Sequence, residues 1–422
     1  MTPTHSYGLT RRNLLQTLAA GCVFSSFSLT PIQRAVAAAI DDMQTVRWTS
    51  CVVNCGSRCP LKAIVKNGQV IRIEPENTGK DSAAMPLEVP HVRACLRGRS
   101  MRQRLYSPDR LKYPMKRVGK RGEGKFERIS WEEAVQTIAA QWKRIKETYG
   151  NESIYWQYCS GQQSLVSSRR AWQRLINLMG GCLKYYGSYS NAQLQASFPF
   201  TYGGRPASLP SEIAHAELYV VFGNNFSVMR PSGGGKGYQV DAAMQRHRPR
   251  TIVIDPCFTD TATTRADQWI PIRPGTDAAL VSALAYEFIT HNWVDQAFLD
   301  TYCIGYDEKT LPSSAPKNAD YKSYILGRGA DKTPKTPEWA SKITGIPVDV
   351  IRNLAREMAK TKPLFVSQGW GPQRHANGEE TARAIAMVPI LLGQIGLPGT
   401  NSGEHEGNTP FPAVYLPVGK NP

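Results

Sequence analysis

Long apolar runs are missing from this chain. No segment reaches the roughly 18 consecutive apolar residues that span a bilayer. The longest, Ile385 to Ile395, is shorter and is interrupted by Pro389 and Gly393. No transmembrane helix is expected, and any membrane attachment has to come through a partner. Acidic residues are scarce as well: 34 Asp and Glu stand against 51 Lys and Arg, for a formal net charge of +17. Thirteen of the basic residues fall between Arg93 and Arg128, a tract that attracts polyanions. No aromatic residues interleave there in the pattern of a nucleic-acid stacking surface, so nucleic acid is not the expected partner. Phosphates of a bound cofactor or an acidic protein account for the same charge. Cysteine is sparse, nine in 422 residues. Cys159, Cys182, Cys257 and Cys303 are scattered, which argues against a disulfide framework and predicts buried thiols. There is no internal repeat and no low-complexity tract. With 41% hydrophobic and 20% charged residues, the chain is globular and long enough for more than one domain.

Four cysteines are not scattered. Cys51, Cys55 and Cys59 are separated by three residues each, and Cys95 follows after 35 intervening residues. Three thiolates from one tight loop and one from a distance are a common supply for an iron–sulfur cluster. Structural zinc usually draws on two paired knuckles, a poorer match. Two disulfides are the other alternative, but closely spaced cysteines strain to pair and would leave Cys95 to choose among three. Between the third and fourth cysteine, LKAIVKNGQVIRIEPE alternates apolar and polar residues around Asn67-Gly68 and predicts a β-hairpin. So small a domain would lean on its metal for stability.

Residues 1–39 have the layout of an export signal. Arg11-Arg12 precedes a weakly apolar stretch, and Ala35-Val36-Ala37 offers a small-x-small cleavage site, which suits the twin-arginine route. That route carries folded proteins, as a cofactor inserted in the cytoplasm would require.

Further along, Ser130 with Glu133 forms a capping box for a helix ending near Tyr149-Gly150, striped by Trp131, Ala134, Val135, Ile138 and Trp142. Leu218–Phe222 and the strand ending at Asp255 bracket one βαβ unit. Neither Gly223-Asn224-Asn225 nor Gly235-Lys236-Gly237 completes a dinucleotide or Walker A signature. A third strand, Trp269–Ile272, delivers Gly275-Thr276-Asp277 to a helix that Thr276 or Asp277 can cap. A fourth, Leu364–Ser367, leads into Gly369-Trp370-Gly371. Repeated strand, Gly-rich loop and helix predict a doubly wound α/β sheet with its ligand along one edge.

The cysteine group, CLRGRS from Cys95, PDRLKYPMKRVGKRGEGKFERISWEEA, YGSYS, WIPIRPGTDAAL and QGWGPQRHANGE together resemble the dimethyl sulfoxide reductase family of molybdopterin oxidoreductases. Within it, the likeness is to the catalytic A subunits of membrane-bound reductases and their selenate-reducing paralogues. The resemblance implies a small β-rich 4Fe–4S domain over residues 40–108, with Cys51, Cys55, Cys59 and Cys95 as ligands. Doubly wound α/β molybdopterin-binding domains follow over 109–422, without the C-terminal part of the family fold; a fragment or a truncated gene is the expectation. It implies oxygen-atom transfer at molybdenum ligated by Ser190, with Arg97 relaying electrons between cluster and pterin. Bis(molybdopterin guanine dinucleotide) would touch Gln157, Tyr158, Cys159, Ser160, Gly161, Val228, Met229, Ile254, Asp255, Gly275, Thr276, Asp277, Trp370, Gly371 and Arg374. Relatives carry Glu-Thr-Arg where Val228-Met229-Arg230 stands here. The implied partners are an iron–sulfur electron-transfer subunit, a membrane anchor subunit and a twin-arginine maturation chaperone, on the periplasmic side of the inner membrane. The implied substrates are dimethyl sulfoxide or related S- and N-oxides. The alternatives are selenate or another oxyanion, or an inactive fragment that binds only the chaperone.

Overall fold

Residues 44–53, 58–76, 94–158, 168–228, 236–407 and 416–422 are described by the computed structural model. The export signal, Cys55, Cys159, Ser160, Gly161, Met229 and the Ser-Gly-Gly-Gly stretch at 232–235 lie outside them. By its contacts the chain forms two compact units. Among the described residues, one takes in those up to Arg47 together with Ala63–Arg72, and the other those of Trp48–Lys62 and Ile73–Pro422. Among the described residues no helix is long and apolar enough to cross a membrane.

The strands Thr45–Ser50 (β1), Pro60–Lys66 (β2) and Gln69–Pro75 (β3) form a three-stranded sheet in that order. The expected hairpin is β2–β3. Asn67 and Gly68 both take positive φ, 52° and 71°, as a two-residue type I′ turn demands. Met115–Arg117 (β4) and Phe126–Arg128 (β5) pair antiparallel. Tyr155–Trp156 (β6) and Leu183–Lys184 (β7) pair in parallel. The capping-box helix spans Trp131–Tyr149, with the Ser130 hydroxyl accepting from the Glu133 N–H at 3.0 Å. Its apolar stripe faces outward: Trp131 is 69% and Val135 61% exposed.

The core is a four-stranded sheet of Leu218–Phe222 (β8), Arg250–Ile254 (β9), Gln268–Ile270 (β10) and Leu364–Gln368 (β11), in the order β10-β9-β8-β11. Every pairing is parallel. Alternation along the strands decides which face each side chain joins. Leu218, Val220, Phe222, Leu364 and Val366 enter one core with the helices Asp277–Thr290, Val348–Lys360 and Gly378–Leu391. Tyr219, Val221, Val253 and Phe365 enter a second core with Val240 and Ala243 of the helix Lys236–Arg246. Burial on both faces is why Leu218–Phe222 reads as an unbroken apolar run.

The register positions the site. Phe222 pairs with Ile254 and with Gln368, and Ile254 pairs with Ile270. The C-terminal ends of all four strands therefore align, and the loops after them leave from one edge. Chain order runs β8, β9, β10 outward and then returns to place β11 on the other side of β8. The order reverses between β8 and β11, which is where open α/β sheets bind ligands.

Candidate functional site

At that reversal the backbone closes tightly. A Cβ on Gly369 would sit 2.2 Å from the Gly223 carbonyl oxygen, so the first residue after β11 has to be glycine for the two loops to meet. The Gly369 N–H completes the contact on the Phe222 carbonyl at 2.8 Å. From the same loop, Gln373 Nε2 and Arg374 Nε both donate to the Ser190 carbonyl, at 2.9 and 3.1 Å. Ser190 is thus held against the β11 loop by its backbone. Its hydroxyl is left with Tyr158 OH at 3.5 Å, and Tyr158 packs edge-on against Tyr185 and Tyr189. The Arg374 guanidinium lies 5.8 Å from the centre of the Trp370 ring. Trp370 Nε1 is buried without a hydrogen-bond partner among the described residues, a polar orphan that a bound group would satisfy.

A second group gathers on the β9/β10 side. Asp255 directly follows β9, caps its own turn by accepting from the Cys257 N–H at 2.8 Å, and is held by burial above the ordinary carboxylate range. Burial pushes the Asp277 carboxyl up to about 6, with the negative Asp255 adding to the rise. Thr276 does not cap the helix as expected. Its hydroxyl donates backward to the Arg273 carbonyl at 2.7 Å, leaving the first helical N–H groups without a side-chain cap. Gly275 faces His375, with a Cβ there 3.5 Å from the ring, so the β10 and β11 loops also meet. Among the described residues no hydrogen bond joins Ser190 to Asp255 or Asp277. Gln157 is exposed beyond β6.

The cluster segment reaches the same edge. Cys51 N–H donates to the Cys59 carbonyl at 2.8 Å, closing the cysteine loop. Cys51, Cys59, Leu61 and Ala94 share a small buried core. Cys95 precedes the short helix Leu96–Arg99, whose Gly98 would bring a Cβ within 3.3 Å of Cys51 Sγ. Glycine there lets the helix that follows Cys95 pack closely on the Cys51 thiol. Among the described residues, which leave out Cys55, no three His, Cys, Asp or Glu groups converge on a single ion. Arg97 Nη2 donates to the Val228 carbonyl at 2.9 Å, tying this helix to the loop after β8. We expect Gly98→Ala to cost about 1–3 kcal/mol by overpacking and to lower iron retention several-fold, read as iron content after reconstitution.

Several residues here give no signal by spacing. Gln373 is one. The run Gly403–Gly407 is another: Glu406 is fully buried and accepts from Tyr219, from Ser367 at 2.8 Å and from Asn224 at 3.1 Å. Lys236, seen in sequence as part of an incomplete phosphate loop, is buried on it at 3.4 Å. The one hint was a cluster of acids between glycines in an acid-poor chain. The scattered thiols also differ from expectation: Cys257 is exposed, and Cys182 and Cys303 are half-buried. Cys257 follows the Asp255 turn, which carries it outward.

Known proteins match this arrangement. The molybdopterin oxidoreductase family model covers residues 110–415, and the molybdopterin oxidoreductase Fe4S4 domain model covers residues 44–107. Dimethyl sulfoxide reductase DmsA of Escherichia coli (strain K12) is 53% identical across 98% of this chain and 52% of its own length. Trimethylamine-N-oxide reductase of Haemophilus influenzae is 29% identical across 93% of this chain and 47% of its own length. Acetylene hydratase from Pelobacter acetylenicus shares the fold, with a TM-score of 0.60 at 24% identity over 83% of this chain and 44% of that one. The chain spans about half the length of the curated relatives it matches. Sheet reversal, cysteine segment and family models agree: this chain belongs to the molybdopterin oxidoreductases and carries their Fe4S4 domain ahead of the α/β sheet.

Proposed function

We propose that this chain is the catalytic portion of a respiratory molybdoenzyme that reduces dimethyl sulfoxide or a related S- or N-oxide. The observation that carries the reading is the meeting of three segments at one sheet edge. Ser190 is fixed to the Gln373–Arg374 loop, and that loop packs on Gly223, which opens the loop whose Val228 carbonyl accepts from Arg97.

The residues fit a bis(molybdopterin guanine dinucleotide) cofactor. When bound, its molybdenum supplies two-electron oxygen-atom transfer. Ser190 would ligate the metal, and Trp370 Nε1, Gly371 and Arg374 would hold the pterin beside it, with Tyr158 keeping the serine hydroxyl in place. Gln157, Cys159, Ser160, Gly161, Val228 and Met229 belong to the same contact set. Asp255 and Asp277, with Ile254, Gly275 and Thr276, suit the nucleotide end, because carboxylates accept from hydroxyl and amine donors. Cys51, Cys55, Cys59 and Cys95 would hold the 4Fe–4S cluster, and Arg97, bridging to the β8 loop, would keep electron donor and acceptor in fixed relation.

The same reading takes electrons from quinol through a partner iron–sulfur subunit docked to a membrane anchor. It places the protein on the periplasmic side after twin-arginine export with a maturation chaperone. The test is steady-state reduction of dimethyl sulfoxide by the cofactor-loaded protein with a reduced viologen donor. Turnover with dimethyl sulfide as product supports the reading. Turnover with selenate and none with any S- or N-oxide overturns it.

A further inference from the structure

Next to Asn191, which follows Ser190, lies a polar cavity of about 460 Å³, and of the residues that line it only Trp370 has a role above. Asn191, Arg205, Trp370, Glu404, His405 and Gly407 line it. Asn191 directly follows the serine, and Trp370 belongs to the loop that grips it. Glu404 is 1% exposed, yet its Oε2 has no hydrogen-bond partner among the described residues. Its other oxygen accepts from Arg205 Nη2. Arg205 Nη2 also lies 3.4 Å from His405 Nε2, and His405 Nδ1 lies 2.7 Å from the Glu406 carbonyl. That carbonyl can only accept, so the imidazole proton sits on Nδ1 and Nε2 is left as an acceptor turned toward Arg205 and Glu404. A buried carboxyl with an idle oxygen costs stability that a folded protein does not ordinarily spend without use.

We propose that Glu404 is the proton donor to the oxygen leaving the substrate, oriented by Arg205 and His405. The inference rests on the oxide-reductase reading above. In the net reaction the S–O bond breaks by the oxygen-atom transfer that the bound molybdenum would supply, and two electrons come from a reduced iron–sulfur donor. The oxygen takes one proton from Glu404 and a second from solvent through the cavity, and leaves as water with the sulfide. The Glu404 carboxylate then regains its proton from solvent.

The charged surroundings suit the role. Arg205, Lys236 and His405 face the carboxyl, with Glu406 and the Tyr202 hydroxyl close behind. Burial holds Glu404 above the ordinary carboxylate range although Arg205 and Lys236 both pull it down. Burial also drives His405 down to about 4, which keeps the ring neutral. An acid with a raised value keeps its proton nearer to neutral pH, where a donor works best.

The test compares Glu404→Gln with wild type in the cofactor-loaded protein. Glutamine preserves the contact with Arg205 but has no proton to give. We expect kcat for dimethyl sulfoxide to fall about 10²-fold, with KM and molybdenum content unchanged and with the alkaline limb of the pH profile lost. Independently of activity, infrared difference spectra between about pH 5 and about pH 8 should show a protonated carboxyl band that Glu404→Gln lacks. Arg205→Gln serves as the second variant. Removing the guanidinium that lowers the Glu404 value should move the alkaline limb to higher pH. Wild-type kcat and pH profile in Glu404→Gln, an unmoved limb in Arg205→Gln, or loss of molybdenum with no change in turnover per metal would each overturn the proposal. Absence of oxide reduction by wild type overturns the functional reading itself, a separate outcome.

Discussion

Replacing Ser190 with alanine is expected to lower S-oxide reduction by about 10²–10³-fold, the scale seen when one preorganised transition-state contact is deleted. The fold should hardly notice. Gln373 and Arg374 grip the Ser190 backbone carbonyl, which alanine keeps. The hydroxyl that is lost has Tyr158 at 3.5 Å as its contact, a distance too long to contribute much stability. Thermal melting and iron content should therefore match wild type while turnover collapses. A matching loss of stability would mean that the serine is a structural turn residue, and undiminished turnover would remove it from the chemistry.

Glu406→Leu is expected to act the other way, through the fold. The Glu406 carboxylate is fully buried and answers the Lys236 ammonium at 3.4 Å, together with Tyr219, Ser367 and Asn224. Leucine strands a buried cation and three polar groups, a loss of about 3–5 kcal/mol. Burial already lowers the Lys236 value, and the carboxylate is what holds it up. Glu406→Leu combined with Lys236→Met should recover much of the loss, because a packed apolar pair replaces a desolvated ionic one. Chemical denaturation of the single and double variants gives the coupling directly. If the single variant costs less than about 1 kcal/mol, the pair is not the brace between the Lys236–Arg246 helix and the Gly403–Gly407 loop.

The difference between these two residues marks how far the chain can be read without coordinates. The parallel sheet was legible because a strand buried on both faces favours apolar residues along its length, as Leu218–Phe222 shows. The strand-end loops were legible because their glycines announce close backbone approach. Asn67-Gly68 named its own turn. Ser190 carried no such signal, since its loop is an ordinary polar turn, and only the likeness to a family singled it out. Glu404 and Glu406 were hidden for a physical reason. Two acids between glycines after a helix read as a solvated loop, and their donors come from Arg205, Tyr219 and Lys236, far away in sequence. The Thr276 cap failed because the Arg273 carbonyl competes for the same hydroxyl. The outward stripe of the Trp131–Tyr149 helix shows that period identifies a helix, not what covers it.

The central claim is that one chain holds an iron–sulfur cluster on Cys51, Cys55, Cys59 and Cys95 and a molybdenum cofactor at Ser190. Metal analysis of the protein purified without oxygen, joined to X-ray absorption at the molybdenum edge, tests both halves. About four irons and one molybdenum per chain are predicted, with one oxygen ligand of the metal lost in Ser190→Ala. Zinc in place of iron, or a molybdenum environment identical in wild type and Ser190→Ala, would contradict it.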